Sequence, residues 1–227
     1  ELKRFRKDFP ALMLDEPVAY LDNACVTLKP QSVIDSIQDY YINTPGCGGR
    51  SVHRYGTHVS KIISQSRKKL SDFFSSPSVN EMVFTRNATH SLNQIAKGLE
   101  WNKGDVVLTT DREHNSNLVP WLQLEQEQGI DHRIVRSNQD NTFSLESFEK
   151  ACADAGSKLK MVSMSHVGNL DGVEIPVKEI TKIAKDYGAL VSIDGAQSAP
   201  HMSVNVQDLG IDFYSFSIHK MLGPSGM

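Results

Sequence analysis

Short apolar runs alternate with longer amphipathic stretches along most of this chain. Runs suited to strands fall at 82–84, 106–109, 132–135, 161–165, 190–193 and 213–216, each closed by polar residues. Between and before them the spacing predicts helices over 31–41, 59–74, 91–100, 118–128, 144–153 and 177–187. Pro176 stands at a first-turn position, Gly188 follows the end of the same stretch, and Ser144 opens another, the usual signs of helix termini. Strands alternating with helices predict an α/β fold, a mainly parallel sheet flanked by helices. The strands begin only after residue 80, so 1–80 reads as an N-terminal arm with helices and 81–227 as one large α/β domain. No internal repeat, low-complexity tract or linker interrupts this order.

Composition narrows the class. The chain has 227 residues, of which 39% are hydrophobic and 22% charged, so it can bury an ordinary globular core. A net charge of -3 gives no general attraction to nucleic acid, and Lys3, Arg4, Arg6 and Lys7 alternate with Phe5, Asp8 and Phe9 as on an amphipathic helix. No apolar run approaches the ~20 residues of a membrane span, and the N-terminus lacks the apolar core of a signal peptide. A cytoplasmic protein without membrane or nucleic-acid partners is expected. Cys25, Cys47 and Cys152 are widely spaced, which predicts free thiols and no structural metal site. Asn87-Ala88-Thr89 matches a glycosylation acceptor that a cytoplasmic chain would not use. Glu1 is not an initiator Met and the chain stops after a Gly-Pro-Ser-Gly turn, so a fragment or processed product is expected.

In open α/β sheets ligands lie beyond the carboxyl ends of the strands, so the residues after each apolar run carry the chemistry. After 82–84 comes Thr85-Arg86-Asn87-Ala88-Thr89-His90-Ser91. A helix starting there offers N–H groups and a positive dipole end to a phosphate, although Thr89 or Ser91 could equally be a simple cap. After 106–109 comes Glu113-His114-Asn115-Ser116-Asn117. His114 could lie against a planar cofactor or shuttle protons. Asn169, after 161–165, can donate to an oxyanion or simply make a turn. Asp194 ends the next run and Gln197 follows. Ser217-Ile218-His219-Lys220 closes the last one. A carboxylate for a pyridinium and a lysine for a Schiff base are the needs of pyridoxal 5'-phosphate (PLP).

These stretches resemble the class V, fold-type I PLP enzymes, and within them the SUF-type cysteine desulfurase and selenocysteine lyase family. Matching segments are Tyr20-Leu21-Asp22-Asn23-Ala24, Ser51-Val52-His53-Arg54, Phe84 through Thr89, Glu113 through Trp121, Ser165 through Asn169, Asp194 through Gln197, and Asp212 through Lys220. The resemblance implies that Lys220 forms the imine with PLP, that His114 stacks on its ring, and that Asp194 pairs with the pyridine nitrogen. It implies that Gln197 and Asn169 address the phenolic oxygen or substrate, and that Ala88, Thr89, Ser217 and His219 hold the phosphate. His53 and Arg54 match a segment near the active site at the family's dimer interface. A homodimer would then take sulfur from L-cysteine, leaving L-alanine and an enzyme persulfide for an acceptor protein and iron–sulfur cluster assembly.

The chain departs from the family at several points. Ala88 stands where a second hydroxyl residue is usual, so one phosphate contact would be backbone only, and Ile218 replaces a small residue. The family's persulfide cysteine, carboxylate-binding arginine and small C-terminal domain correspond to positions beyond Met227. None of the three cysteines matches the sulfur-accepting position. Cys152 and Cys25 read as small buried side chains, while Cys47, beside Arg50 in a glycine-rich loop, could expose a thiolate. The alternatives are another class V lyase or aminotransferase, such as a selenocysteine lyase, and a PLP-binding remnant without turnover.

Overall fold

The computed structural model describes residues 2–16 and 19–226; Met227, where the sequence stops, lies outside them. The chain divides into two units, Glu1–Phe84 with Ile218–Met227, and Thr85–Ser217. The first unit holds α1 (Gln31–Asn43), α2 (Arg54–Phe73) and 3-10 turns at Leu2–Asp8, Pro10–Leu12, Val79–Glu81 and Ile218–Lys220. Helix α2 starts ahead of its apolar periodicity because the side chain of His53 accepts a hydrogen bond from Gly56 N–H at 3.4 Å, satisfying one donor of the first turn.

Two expectations fail in this unit. Residues 82–84 form no strand: they have no ladder partner among the described residues, and Val83 is 71% exposed. A three-residue apolar run reports hydrophobicity, but a strand exists only where a neighbouring backbone takes its N–H and C=O groups. Cys25 is exposed rather than buried, because residues 23–25 form a turn closed by Cys25 N–H to Asp22 O at 3.2 Å.

The unit Thr85–Ser217 is built on five strands: β1 (Val106–Thr110), β2 (Asp131–Val135), β3 (Leu159–Ser165), β4 (Leu190–Asp194) and β5 (Phe213–Ser215). Their order is β2-β1-β3-β4-β5 and every pairing is parallel. Parallel neighbours need crossovers. These are α4 (Asn115–Gln128), α5 (Leu145–Ala155), α6 (Val177–Asp186) and the short α7 (Val206–Leu209), which the sequence pattern did not predict; α3 (Ala88–Gly98) precedes β1.

Alternate strand residues face opposite layers, as a period of two requires. Val106 and Leu108 of β1 and Val162 and Met164 of β3 join Phe148, Cys152, Ile180 and Ala184 on one side of the sheet. Val107 and Met161 join Ala96, Trp121 and Leu124 on the other. Both faces are covered, so all five residues of β1 are buried, and a strand of this kind reads in sequence as a continuous apolar run. Among the described residues no helix is long and apolar enough to cross a membrane.

Candidate active site

After β1 the chain crosses to β2 on one side and returns to β3 on the other. That divergence opens a crevice at the carboxyl ends of β1 and β3, where α/β sheets take their ligands. Glu113 bonds the strand ends on both sides of this divergence. Its Oε1 accepts from Thr110 Oγ1 at 2.6 Å, Thr110 N–H at 3.3 Å and Ser165 N–H at 3.1 Å. Its Oε2 accepts from Asn117 Nδ2 and Ser165 Oγ, both at 2.7 Å. Burial pushes the Glu113 carboxyl above its ordinary value, and these hydrogen bonds only partly offset it. One side chain thus fixes the ends of β1 and β3 and the first turn of α4.

His114, the next residue, caps α4: its Nδ1 lies 3.1 Å from Ser116 N–H and 2.8 Å from Ser116 Oγ. An Nδ1 that accepts from a backbone N–H leaves the ring proton on Nε2. Ser116 Oγ in turn lies 2.7 Å from Thr89 Oγ1, linking the starts of α4 and α3. The helix expected from 118 therefore begins at Asn115. The first turn is polar, and Asn117 enters the interior through hydrogen bonds rather than apolar contact, so the turn leaves no apolar period to read.

The cap of α3 is Asn87, not Thr89 or Ser91: Asn87 Oδ1 accepts from His90 N–H at 2.9 Å. Ala88 N–H donates to Ser217 Oγ at 3.0 Å, tying the positive end of α3 to the residues that follow β5. Thr89 and Ser217 hydroxyls and the α3 amides thus collect at one helix end, a seat for a phosphate.

Asp194 ends β4 at 5% exposure. Its carbonyl accepts from His166 N–H at 3.0 Å and its Oδ1 from Ala196 N–H at 2.9 Å. Gln197 is buried in the turn that follows. Gly195 is required there, since a Cβ would run into the Tyr214 ring, whose hydroxyl is held 2.7 Å from Ser198 Oγ. Burial and the charge of Asp194 push the Tyr214 phenol up. Asn169 lies half-buried in the turn after β3, which Gly172 N–H to Gly168 O closes at 3.0 Å. His166, just before that turn, is a buried imidazole whose pKa burial pushes down, with Glu174 opposing the shift.

In the register of β4 and β5, Asp194 sits opposite Ser215, with Ser217 just beyond. A buried carboxylate one strand from a helix end rich in hydroxyls suits a flat molecule with a phosphate at one end and a cationic ring nitrogen at the other. The residues present fit PLP. In the other unit, His219 and Lys220 are half-buried in the 3-10 turn Ile218–Lys220. Burial, and then the charges of Lys220 and Lys29, push the His219 imidazole down, toward its neutral form. Sequence reasoning quoted Glu113, Ser116 and Ser165 within motifs but gave them no role. Their signal was their place, polar residues at the carboxyl ends of apolar runs.

The pattern of the aminotransferase class-V family matches residues 19–227. The chain is 38% identical over 228 residues to a probable cysteine desulfurase of Halalkalibacterium halodurans, covering 98% of this chain and 55% of that protein. A cysteine desulfurase of Synechococcus elongatus is 35% identical, covering 100% and 37%. Among solved structures, the apo cysteine desulfurase of Thermococcus onnurineus superposes with a TM-score of 0.91 at 37% identity, over 99% of this chain and 55% of that one. The cysteine desulfurase CsdA of Escherichia coli gives 0.86 at 30%, over 100% and 56%. The chain thus spans about half the length of most of these relatives. With the parallel sheet, the Asp194 strand end and a family pattern running from residue 19 onward, the chain belongs to the class-V aminotransferase family.

Proposed function

We propose that this protein is a PLP-dependent cysteine desulfurase that removes sulfur from L-cysteine and leaves L-alanine. One observation carries the reading: proteins named cysteine desulfurases match 98–100% of the chain at 33–38% identity. When bound, PLP supplies a ring that accepts the electron pair left at the substrate Cα. The chain supplies the rest. Asp194 pairs with the ring nitrogen and keeps it protonated. The α3 N-terminus with Ala88 and Thr89, together with Ser217 and His219, holds the phosphate. Gln197 and Asn169 hydrogen-bond the phenolic oxygen or substrate, and His114 is the ring-face residue. Lys220 is the amine that bonds the cofactor and carries the Cα proton. An acceptor thiolate would attack substrate Sγ as the Cβ–Sγ bond breaks, leaving the sulfur on the acceptor as a persulfide and the Cβ electron pair to take up a proton in the methyl group of L-alanine. Cys152, sealed in the core, is not that acceptor. The resemblance further supports a cytoplasmic homodimer that serves iron–sulfur cluster assembly through an acceptor protein.

A second reading has its own support: C-DES, named as a cystine C-S lyase, superposes with a TM-score of 0.84 at 26% identity. Products separate the two, since a desulfurase yields alanine and a lyase that eliminates across Cα and Cβ yields pyruvate and ammonia. The test loads the protein with PLP, reduces it with borohydride and maps the peptides. The added mass is expected on Lys220, and L-cysteine should give alanine with bound or released sulfur. Label on another lysine removes the site assignment. Pyruvate from cystine in place of alanine from L-cysteine transfers the protein to the lyases.

A further inference from the structure

The carbonyl of His219 is the peptide oxygen immediately before Lys220, and it accepts three hydrogen bonds. Thr27 N–H reaches it at 3.1 Å, Thr27 Oγ1 at 3.0 Å and Lys29 Nζ at 2.7 Å. The Thr27 hydroxyl also accepts, from Leu222 N–H at 2.9 Å and Lys29 Nζ at 3.4 Å, so its one proton and both lone pairs are used. Lys29 Nζ further donates to Thr27 O at 2.7 Å, which occupies all three of its protons. Leu222 holds a φ of 65°, a left-handed conformation that a branched side chain adopts only when its surroundings impose it. Two side chains therefore grip the turn on both sides of Lys220.

Thr27 is buried and Lys29 half-buried. Among the described residues no carboxylate lies within ion-pair distance of Lys29. Even partial burial of an ammonium without a counter-ion costs some stability, and burial accordingly lowers the Lys29 pKa. A neutral donor could close a turn without that cost. An ammonium here also adds positive charge beside His219.

We propose that Thr27 and Lys29 are positioning residues for the proposed catalytic lysine: they clamp the His219 carbonyl and hold the Lys220 turn in one conformation before any cofactor arrives. The inference rests on the assignment of Lys220 as the cofactor-bonding amine. The charge of Lys29 also adds to burial and to the charge of Lys220 in lowering the His219 pKa.

The test uses Thr27→Val, Thr27→Ser, Lys29→Met and Lys29→Arg. Without cofactor, Thr27→Val should speed amide hydrogen exchange at Leu222 by about tenfold, the effect of one hydrogen bond, while the amides of β1 stay at the wild-type rate. Lys29→Met should raise the His219 pKa read by NMR. On adding PLP, borohydride-trapped attachment at Lys220 should slow several-fold in Thr27→Val and Lys29→Met, and Thr27→Ser and Lys29→Arg should restore it. Unchanged Leu222 exchange in Thr27→Val, or altered exchange with unaltered attachment, overturns the clamp. If Thr27→Val also loosens β1, the Lys29→Met pKa and attachment results decide, and no change in either overturns the clamp. Wild-type label on a different lysine sinks the Lys220 assignment, whereas the exchange and pKa results still judge the grip itself.

Discussion

Replacing Glu113 with glutamine should cost about 1–3 kcal/mol of stability, the penalty for one buried donor left without an acceptor. The glutamine carbonyl can keep the three donors now on Oε1, from Thr110 and Ser165. Its amide then faces the two donors now on Oε2, Ser165 Oγ and Asn117 Nδ2. The serine hydroxyl can rotate and accept. Asn117 cannot turn over, because its Oδ1 already accepts from Ser163 Oγ at 2.6 Å and Trp121 Nε1 at 3.3 Å. Two NH2 groups are left facing each other in a place water does not reach. The reverse orientation is worse, since it sets the amide against two backbone N–H groups.

The same substitution has a pH signature. Burial raises the folded pKa of Glu113 above its ordinary 4.5, so the folded state takes up a proton before the unfolded one does. The stability this adds is complete below the unfolded pKa and is lost as pH rises through the folded pKa. Glutamine does not titrate. The wild-type advantage should therefore be smallest at neutral pH and grow as pH falls toward ~4.5, other carboxylates cancelling between the two proteins. Urea denaturation of both proteins across that range measures it. Equal stability within ~0.5 kcal/mol at all pH values, or an advantage that shrinks on acidification, would refute the reasoning.

Gly195→Ala should destabilise by about 1–3 kcal/mol, since the new methyl must displace the Tyr214 ring that Ser198 Oγ holds at 2.7 Å; an unchanged urea midpoint would show that the ring moves freely. Native thiol labelling near neutral pH should modify Cys25 and Cys47 and spare Cys152, whose thiol is pushed up to about 12 by burial and the charge of Glu149. Comparable labelling of Cys152 without denaturant would mean that the core opens readily.

The sheet was legible because β1, β3 and β4 are covered on both faces, which writes each as a short run dominated by apolar residues. Helix starts were less so. Asn87, His53 and His114 begin their helices with polar turns, and periodicity appears only where a helix meets the core. The apolar run at 82–84 looked like a strand for the same reason that the true strands did. Hydrophobicity marks what can be buried, not which backbone will pair with it.

By itself, the order of residues determined the alternation of helix and strand, the layer each strand residue faces, and the polar residues waiting at strand ends, Asp194 and His114 among them. These are short-range properties, set by side-chain period and local hydrogen bonding. The tertiary structure decided which ends meet. Glu113 reaches Ser165 across 52 positions, Ala88 meets Ser217 across 129, and Thr27 holds His219 across 192. Such pairs follow from strand order, register and the path of the chain, which no local pattern encodes. That is why the buried carboxylate joining the ends of β1 and β3 and the threonine–lysine grip beside Lys220 became visible only in the folded chain.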